Sequence, residues 1–155
     1  PFGQGQGIAV TSLQILQAYT AFCNQGRCIA LHVDKAFRCS DEEQERILSP
    51  EIADWMRKDA LTAVVNEGTA RRAKLQTYQV FGKTGTALIA KNGRYDNGAC
   101  IASFVGGAPA ENPRLLVIVS IRRPDRSLGK GYTGGAVAAP VAADILDRAL
   151  AYLGD

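Results

Sequence analysis

Apolar positions recur at helical spacing in the first half of this chain, crowd into β-rich runs after position 76, and return to helical spacing at the end. Val10 to Gln25 reads as a helix. Thr11 and Gln14 form a Thr-x-x-Gln capping box, Val10 can staple onto Ile15, and Gly26 supplies the stop. Leu16, Tyr19 and Cys23, with Ile15, Ala18 and Phe22 alongside, make its apolar stripe. Cys28 to Phe37 alternates weakly, as a strand or hairpin would, and Asp41 to Arg46 is polar and solvated. Ser49-Pro50 then opens a second helix, with serine as cap and proline in the first turn. Ile52, Met56, Ala60, Leu61, Val64 and Val65 mark its buried face, and Gly68 ends it.

Thr77 to Ala87, Ala99 to Gly107 and Leu115 to Arg123 are rich in β-branched and aromatic residues and read as three strands. The turn chemistry of "KNGRYDNG" (Lys91 to Gly98) makes the first two an antiparallel hairpin. "APAENP" (Ala108 to Pro113) is a second tight connection. "LLVIVSI" is apolar on both faces, so it belongs in a sheet covered by helices. A last helix over Ala139 to Leu153 carries Val141, Ile145, Leu146, Ala149 and Leu153 on one side. The expected fold class is α+β, with helices packed against a small antiparallel sheet. Leu115 to Ile121 has no partner on its outer edge. A long apolar open edge is an aggregation hazard, so sequence outside these residues is expected to cover it.

Composition narrows the classes. A chain of 155 residues, 46% hydrophobic and 21% charged, suits one globular domain. No stretch approaches the roughly 18 uninterrupted apolar residues of a membrane span. Pro1 and Phe2 lead straight into a glycine-rich segment without a start methionine or signal peptide, as in a piece of a longer protein. The net charge of +3 is mild and, apart from Arg71-Arg72-Ala73-Lys74 and Arg122-Arg123, dispersed, which argues against nucleic acid as a partner. Cys23, Cys28, His32 and Cys39 could be read as a zinc set, but their spacing lacks the tight pairs of common zinc modules. A Cys28 to Cys39 disulfide would require an oxidising compartment. Buried free thiols are the favoured reading, and no metal or cofactor is expected.

The candidate chemistry lies in "YQVFGKTGTALIA" (Tyr78 to Ala90). A phosphate cradle needs a glycine five positions before Gly82, where Thr77 stands, and a helix after the lysine; strand-like Gly85-Thr86-Ala87 follows instead. The other reading is an edge strand bearing Lys83, Thr84, Gly85 and Thr86. Alternation puts Lys83 and Gly85 on one face, Thr84 and Thr86 on the other. Gly85 lets an extended ligand approach the backbone and pair with it as an added strand. Lys83 offers a charge to a nucleophile or carboxylate, the two hydroxyls can hydrogen-bond a carboxylate, and the Thr86 amide can face an oxyanion. Alone, the tetrapeptide is equally an ordinary strand with a solvated lysine.

It is not alone. "GQGQGIAVTSLQILQAYTAFCNQG", "VVNEGTARRA", "FGKTGTA", "ASFVGGAPAENPRLLVIVSI" and "YTGGAVAAPVAADIL" together resemble the penicillin-binding proteins, above all the C-terminal part of the transpeptidase domain of the class B, monofunctional enzymes. The resemblance runs from Gly3 to Leu153 and is weakest over Arg27 to Leu48. It implies an incomplete transpeptidase fold of the penicillin-binding-protein and serine β-lactamase type, with all 155 residues forming the C-terminal portion of one domain. It implies a peptidoglycan D,D-transpeptidase that cross-links stem peptides ending in D-Ala-D-Ala through a serine acyl-enzyme, and that β-lactams acylate. Lys83 would help organise the nucleophile and its proton transfers. Thr84 and Thr86 would hold the carboxylate, Gly85 would leave room for the acyl chain, and the Thr86 amide would serve the oxyanion hole. Other cell-wall synthesis or division proteins would be partners, on the extracytoplasmic (periplasmic) face of a bacterial inner membrane, with an N-terminal anchor outside this sequence.

Two of the family's three motifs are missing. Ser-x-Asn is absent, and the Ser-x-x-Lys letters occur only at Ser127-Leu128-Gly129-Lys130, in a polar, glycine-flanked loop instead of at the start of a buried helix upstream. The chain alone is therefore expected to be inert, because nucleophile and base act as a unit. The alternatives are a β-lactam sensor or serine β-lactamase, which shares the Lys-Thr-Gly strand, and a non-catalytic scaffold.

Overall fold

The computed structural model describes residues 8–32, 34, 45–91 and 94–154. Helix α1 spans Ser12–Cys23 and starts where local chemistry dictates. The Thr11 hydroxyl accepts from the Gln14 N–H at 3.2 Å, while the Gln14 side chain accepts from the Thr11 N–H at 2.8 Å, which closes the capping box. After α1, Gly26 takes a φ of +82° and packs so tightly on the Leu48 carbonyl that a Cβ would sit 2.0 Å from its oxygen. Cys28 to Phe37 is not a strand among its described residues. One bridge, Arg27 to Arg46, brings the chain back, and Glu45 and Arg46 are exposed as expected. Cys39 and the rest of that segment lie outside the described residues, and with them the Cys28 to Cys39 pairing. Cys23, Cys28 and Cys100 are free thiols, and burial pushes the Cys23 thiol up to about 11 against the opposing pull of Arg57.

Ser49 caps α2 (Pro50–Trp55), its hydroxyl accepting from the Ile52 N–H. A π-helical turn over Met56–Ala60 then leads into α3 (Leu61–Asn66). The wide turn inserts an extra residue and shifts the apolar stripe between its two sides. The buried positions are Ala53, Arg57, Leu61, Thr62 and Val65; Met56, Ala60 and Val64 are half-buried, and Ile52, expected inside, is 51% exposed.

A buried arginine is the unexpected member of that face. Arg57 is 5% exposed. It donates to the carbonyl of Phe22 on α1 at 2.6 Å, to that of Ala110 at 2.7 Å and to the Asp54 carboxylate at 2.7 Å. Asp54 stays partnered by Lys58, which is the leading reason its carboxyl lies below the ordinary range. Arg57→Ala is expected to cost about 2–3 kcal/mol, chiefly by stranding two carbonyls. Arg57→Lys should not restore the loss in a thermal melt, since one ammonium cannot replace a planar fork with three partners.

The sheet is antiparallel, in the order β1-β2-β3, with β1 over Phe81–Lys91, β2 over Arg94–Ala108 and β3 over Leu115–Arg122. β1 begins at Phe81 rather than Thr77. Its ladder starts with Phe81 opposite Gly107, two pairs before the position of Pro109, whose ring nitrogen cannot donate. At the other end the strands run further toward their connection than the turn signals suggest, with the register jumping between Leu88 and Ile89. Among the described residues β3 pairs only with β2, so its outer edge is open there, as read from the sequence.

Two apolar layers cover the sheet. On one side Phe104, Val80 and Val65 pack with Ala138, Ala139, Ala142, Leu146 and Leu150, joined by Leu115, Val117, Val119 and Ile121 of β3. On the other, Phe81, Leu61 and Ala110 meet Tyr19, Phe22, Met56 and Leu116. β3 thus feeds both layers, as an apolar run with period-two geometry must. Helix α4 occupies Ala139–Leu153, as expected, and ends on left-handed Gly154. Its buried face is rotated from the expected side: Leu146 is inside and Ala149 half-buried as expected, but Ala139, Ala142 and Leu150 complete the face, and Val141, Ile145 and Leu153 are exposed. Ala138, Ala139 and Ala142 begin that face and Leu146 and Leu150 continue it, all packed in the layer with Phe104.

Candidate active site

Among the described residues β1 is an edge strand with β2 as its one neighbour, so one side of Lys83 to Thr86 carries no paired strand. Gly85 stands opposite Ser103, and Thr84 and Thr86 stand opposite Phe104 and Ala102. No helix follows Lys83-Thr84. The strand continues to Lys91, which leaves the phosphate-cradle reading without its anion-binding helix N-terminus.

The two threonines share a face, as alternation requires, and each hydroxyl is bonded to a neighbouring segment. The Thr86 hydroxyl accepts from the Gly134 N–H at 3.1 Å. Because an amide cannot accept in return, the Thr86 proton is left to point elsewhere, as a donor. The Thr84 hydroxyl lies 2.7 Å from that of Thr69, in the loop after α3. Gly85 has its bare Cα over β2, where a Cβ would come within 2.6 Å of the Ser103 hydroxyl. The Lys83 ammonium is exposed and donates to the carbonyl of Thr84 at 3.0 Å.

Gly134 and Gly135 make this assembly possible. They open a π-helical turn, Gly134–Ala138, that runs into α4. A Cβ on Gly134 would stand 2.1 Å from the Ser103 carbonyl oxygen and 2.5 Å from that of Gly85; one on Gly135 would stand 2.0 Å from the Thr69 carbonyl oxygen. Only glycine lets three backbone segments meet so closely. Arg72 fastens the same junction by donating to the Ala136 carbonyl at 2.7 Å. Sequence reasoning assigned no site role to Thr69, Ser103, Gly134 or Gly135. A Gly-Gly pair directly ahead of a helix was the available signal for close backbone approach.

Ser127 sits apart from this cluster, in a short turn over Arg126–Leu128 closed by left-handed Gly129. Its hydroxyl donates to the Asp125 carboxylate at 2.7 Å and its N–H donates to the same oxygen at 2.9 Å. Those two bonds hold the Asp125 carboxyl below its ordinary range. Ser127 is a loop residue, as expected. A cavity of about 580 Å³ also lies elsewhere, between the end of α1, the start of α2 and residues 111–113. Its charged groups include Arg57, Lys58, Asp54 and Glu111, which bridge one another.

The penicillin binding protein transpeptidase domain family matches residues 1–147. The chain belongs to the penicillin-binding-protein transpeptidase family. It is 36% identical to stage V sporulation protein D of Bacillus subtilis over 97% of its length, covering 24% of that protein. It is 34% identical to the probable peptidoglycan D,D-transpeptidase PenA of Neisseria gonorrhoeae, again over 97% of its length and 25% of the relative. The fold superposes on the apo transpeptidase domain of penicillin-binding protein 3 from Burkholderia pseudomallei with a TM-score of 0.82 and 35% identity, over 96% of this chain and 44% of that one. The ampicillin complex of the Mycobacterium penicillin-binding protein 3 gives 0.77 at 28% identity, over 97% of this chain and 36% of that one. The chain thus spans between about a quarter and just over a third of the curated relatives it matches. The α+β architecture is that of a penicillin-binding transpeptidase, in part.

Proposed function

We propose that these residues form the C-terminal portion of one transpeptidase domain, and that the complete protein is a peptidoglycan D,D-transpeptidase. The observation that carries the proposal is the Lys-Thr-Gly-Thr edge strand, whose two threonine hydroxyls are anchored from behind on Thr69 and Gly134. A serine supplied by upstream sequence attacks the carbonyl of the penultimate D-Ala of a stem peptide. Terminal D-Ala leaves, and an amine of a second strand takes the acyl group. A β-lactam acylates the same serine. Lys83 organises the nucleophile and its proton transfers, Thr84 and Thr86 hold the substrate carboxylate beside Gly85, and the Thr86 amide faces the oxyanion.

In this reading the open edge of β3 is covered by strands of the missing part of the domain. The protein works on the extracytoplasmic face of the inner membrane with other cell-wall synthesis or division proteins, and an N-terminal anchor outside these residues holds it there. Among the described residues no helix is long and apolar enough to cross a membrane.

Labelling the complete protein with a fluorescent penicillin, followed by a denaturing gel, tests the proposal. A covalent band suppressed by excess ampicillin is expected, and no band would overturn it. The band should persist for many minutes in a chase. Rapid loss with penicillin turnover would favour a serine β-lactamase.

A further inference from the structure

We infer that Thr69 is a positioning residue that fixes which way the Thr84 hydroxyl donates, and so sets the preference for ligands bearing a carboxylate. The inference rests on the transpeptidase reading. A carboxylate accepts hydrogen bonds and donates none. To hold one, the Thr84 hydroxyl must spend its single proton on the ligand. The Thr69 and Thr84 oxygens are 2.7 Å apart, and the bond between them uses one of their two protons, with either able to donate. With an anion in the cleft, Thr69 is therefore the donor and Thr84 the acceptor from behind. Two residues along the same face, the Gly134 N–H already imposes that polarity on Thr86.

The result is a matched pair of donors, roughly 7 Å apart by strand geometry, each polarised by a bond on its far side. A carboxylate accepting one bond from each hydroxyl fits between them. Thr69 is itself held firmly. Gly135 packs against its carbonyl oxygen, and the adjoining Ala70 is fully buried, its N–H bonded to the Val64 carbonyl at 3.0 Å. Its side chain is exposed, so the hydroxyl contributes little to stability.

The test compares acylation of the complete protein by ampicillin and by its carboxylate methyl ester, which keeps the β-lactam and loses the negative charge. For Thr69→Val the ampicillin rate constant is expected to fall roughly tenfold, the scale of a weakened bond to a charged group. The ester rate should change little, so the ratio of the two collapses. Thr69→Ser, which keeps the hydroxyl, should retain the ratio. An unchanged ratio in Thr69→Val, an equal fall for both compounds, or a ratio lost in Thr69→Ser as well would each overturn the inference and leave the proposed function standing. Failure of the unaltered protein to form any adduct would overturn the proposed function and this inference with it.

Discussion

Replacing Lys83 by alanine in the complete protein is expected to slow penicillin acylation by roughly 10²–10⁴, the range associated with losing a positioned proton-transfer group. Folding should be untouched. The side chain is exposed, and its one described bond is to the carbonyl of the next residue. Lys83→Arg separates two contributions. Arginine keeps the positive charge but cannot give up its proton in a protein. If Lys83 only attracts an anion, the arginine variant recovers much of the rate; if it shuttles a proton, the variant stays near the alanine level. Stopped-flow acylation with a fluorescent penicillin distinguishes these outcomes. Near-wild-type rates in both variants would remove Lys83 from the site.

Phe104→Ala is expected to destabilise the fold by about 3–5 kcal/mol, the cost of deleting a large ring from a packed core. Phe104 is 0% exposed and lies opposite Thr84 in the ladder. Its ring tip fills the space that a Cβ on Gly82 or Gly106 would occupy, at 2.5 and 2.9 Å. The glycines and the ring are therefore complementary, and neither side collapses readily into the hole. Because the lost ring lies under the Lys-Thr-Gly strand, acylation should weaken along with the thermal midpoint. A Phe104→Leu variant, keeping most of the volume, should lose much less of both. Equal loss in the two variants would mean that the ring's shape, and not its volume, supports β1.

What could be read from the sequence was local. The Thr11–Gln14 box and the Ser49-Pro50 start are hydrogen-bond and dihedral preferences resolved within four residues, and both helices begin there. The bounds of α4 and the order of the three strands follow from period and punctuation, whereas the ends of β1 and β2 do not. Faces were less legible. The Met56–Ala60 turn, invisible in a hydropathy pattern, carries Arg57 on the inside, and Ile52 on α2 ahead of it is exposed. On α4, the face that packs inside is Ala139, Ala142, Leu146 and Leu150 rather than the Val141 and Ile145 side, a choice made by the sheet it meets. The site divided in the same way. Lys83 to Thr86 lie consecutively on one strand and were found together. Thr69, in a loop, and Gly134, opening a π-helical turn, reach them from 15 and 48 residues away, and single-sequence spacing carries no record of such meetings.

In the proposed function this edge strand is one wall of an acylation site whose nucleophile is supplied by sequence outside these 155 residues. Proteolysis of the penicillin-labelled complete protein, with mass spectrometry to locate the penicilloyl group, tests it most directly. The expected adduct is on a serine upstream of Pro1, within a Ser-x-x-Lys sequence. An adduct on Ser127, or on any other serine of this chain, would contradict it.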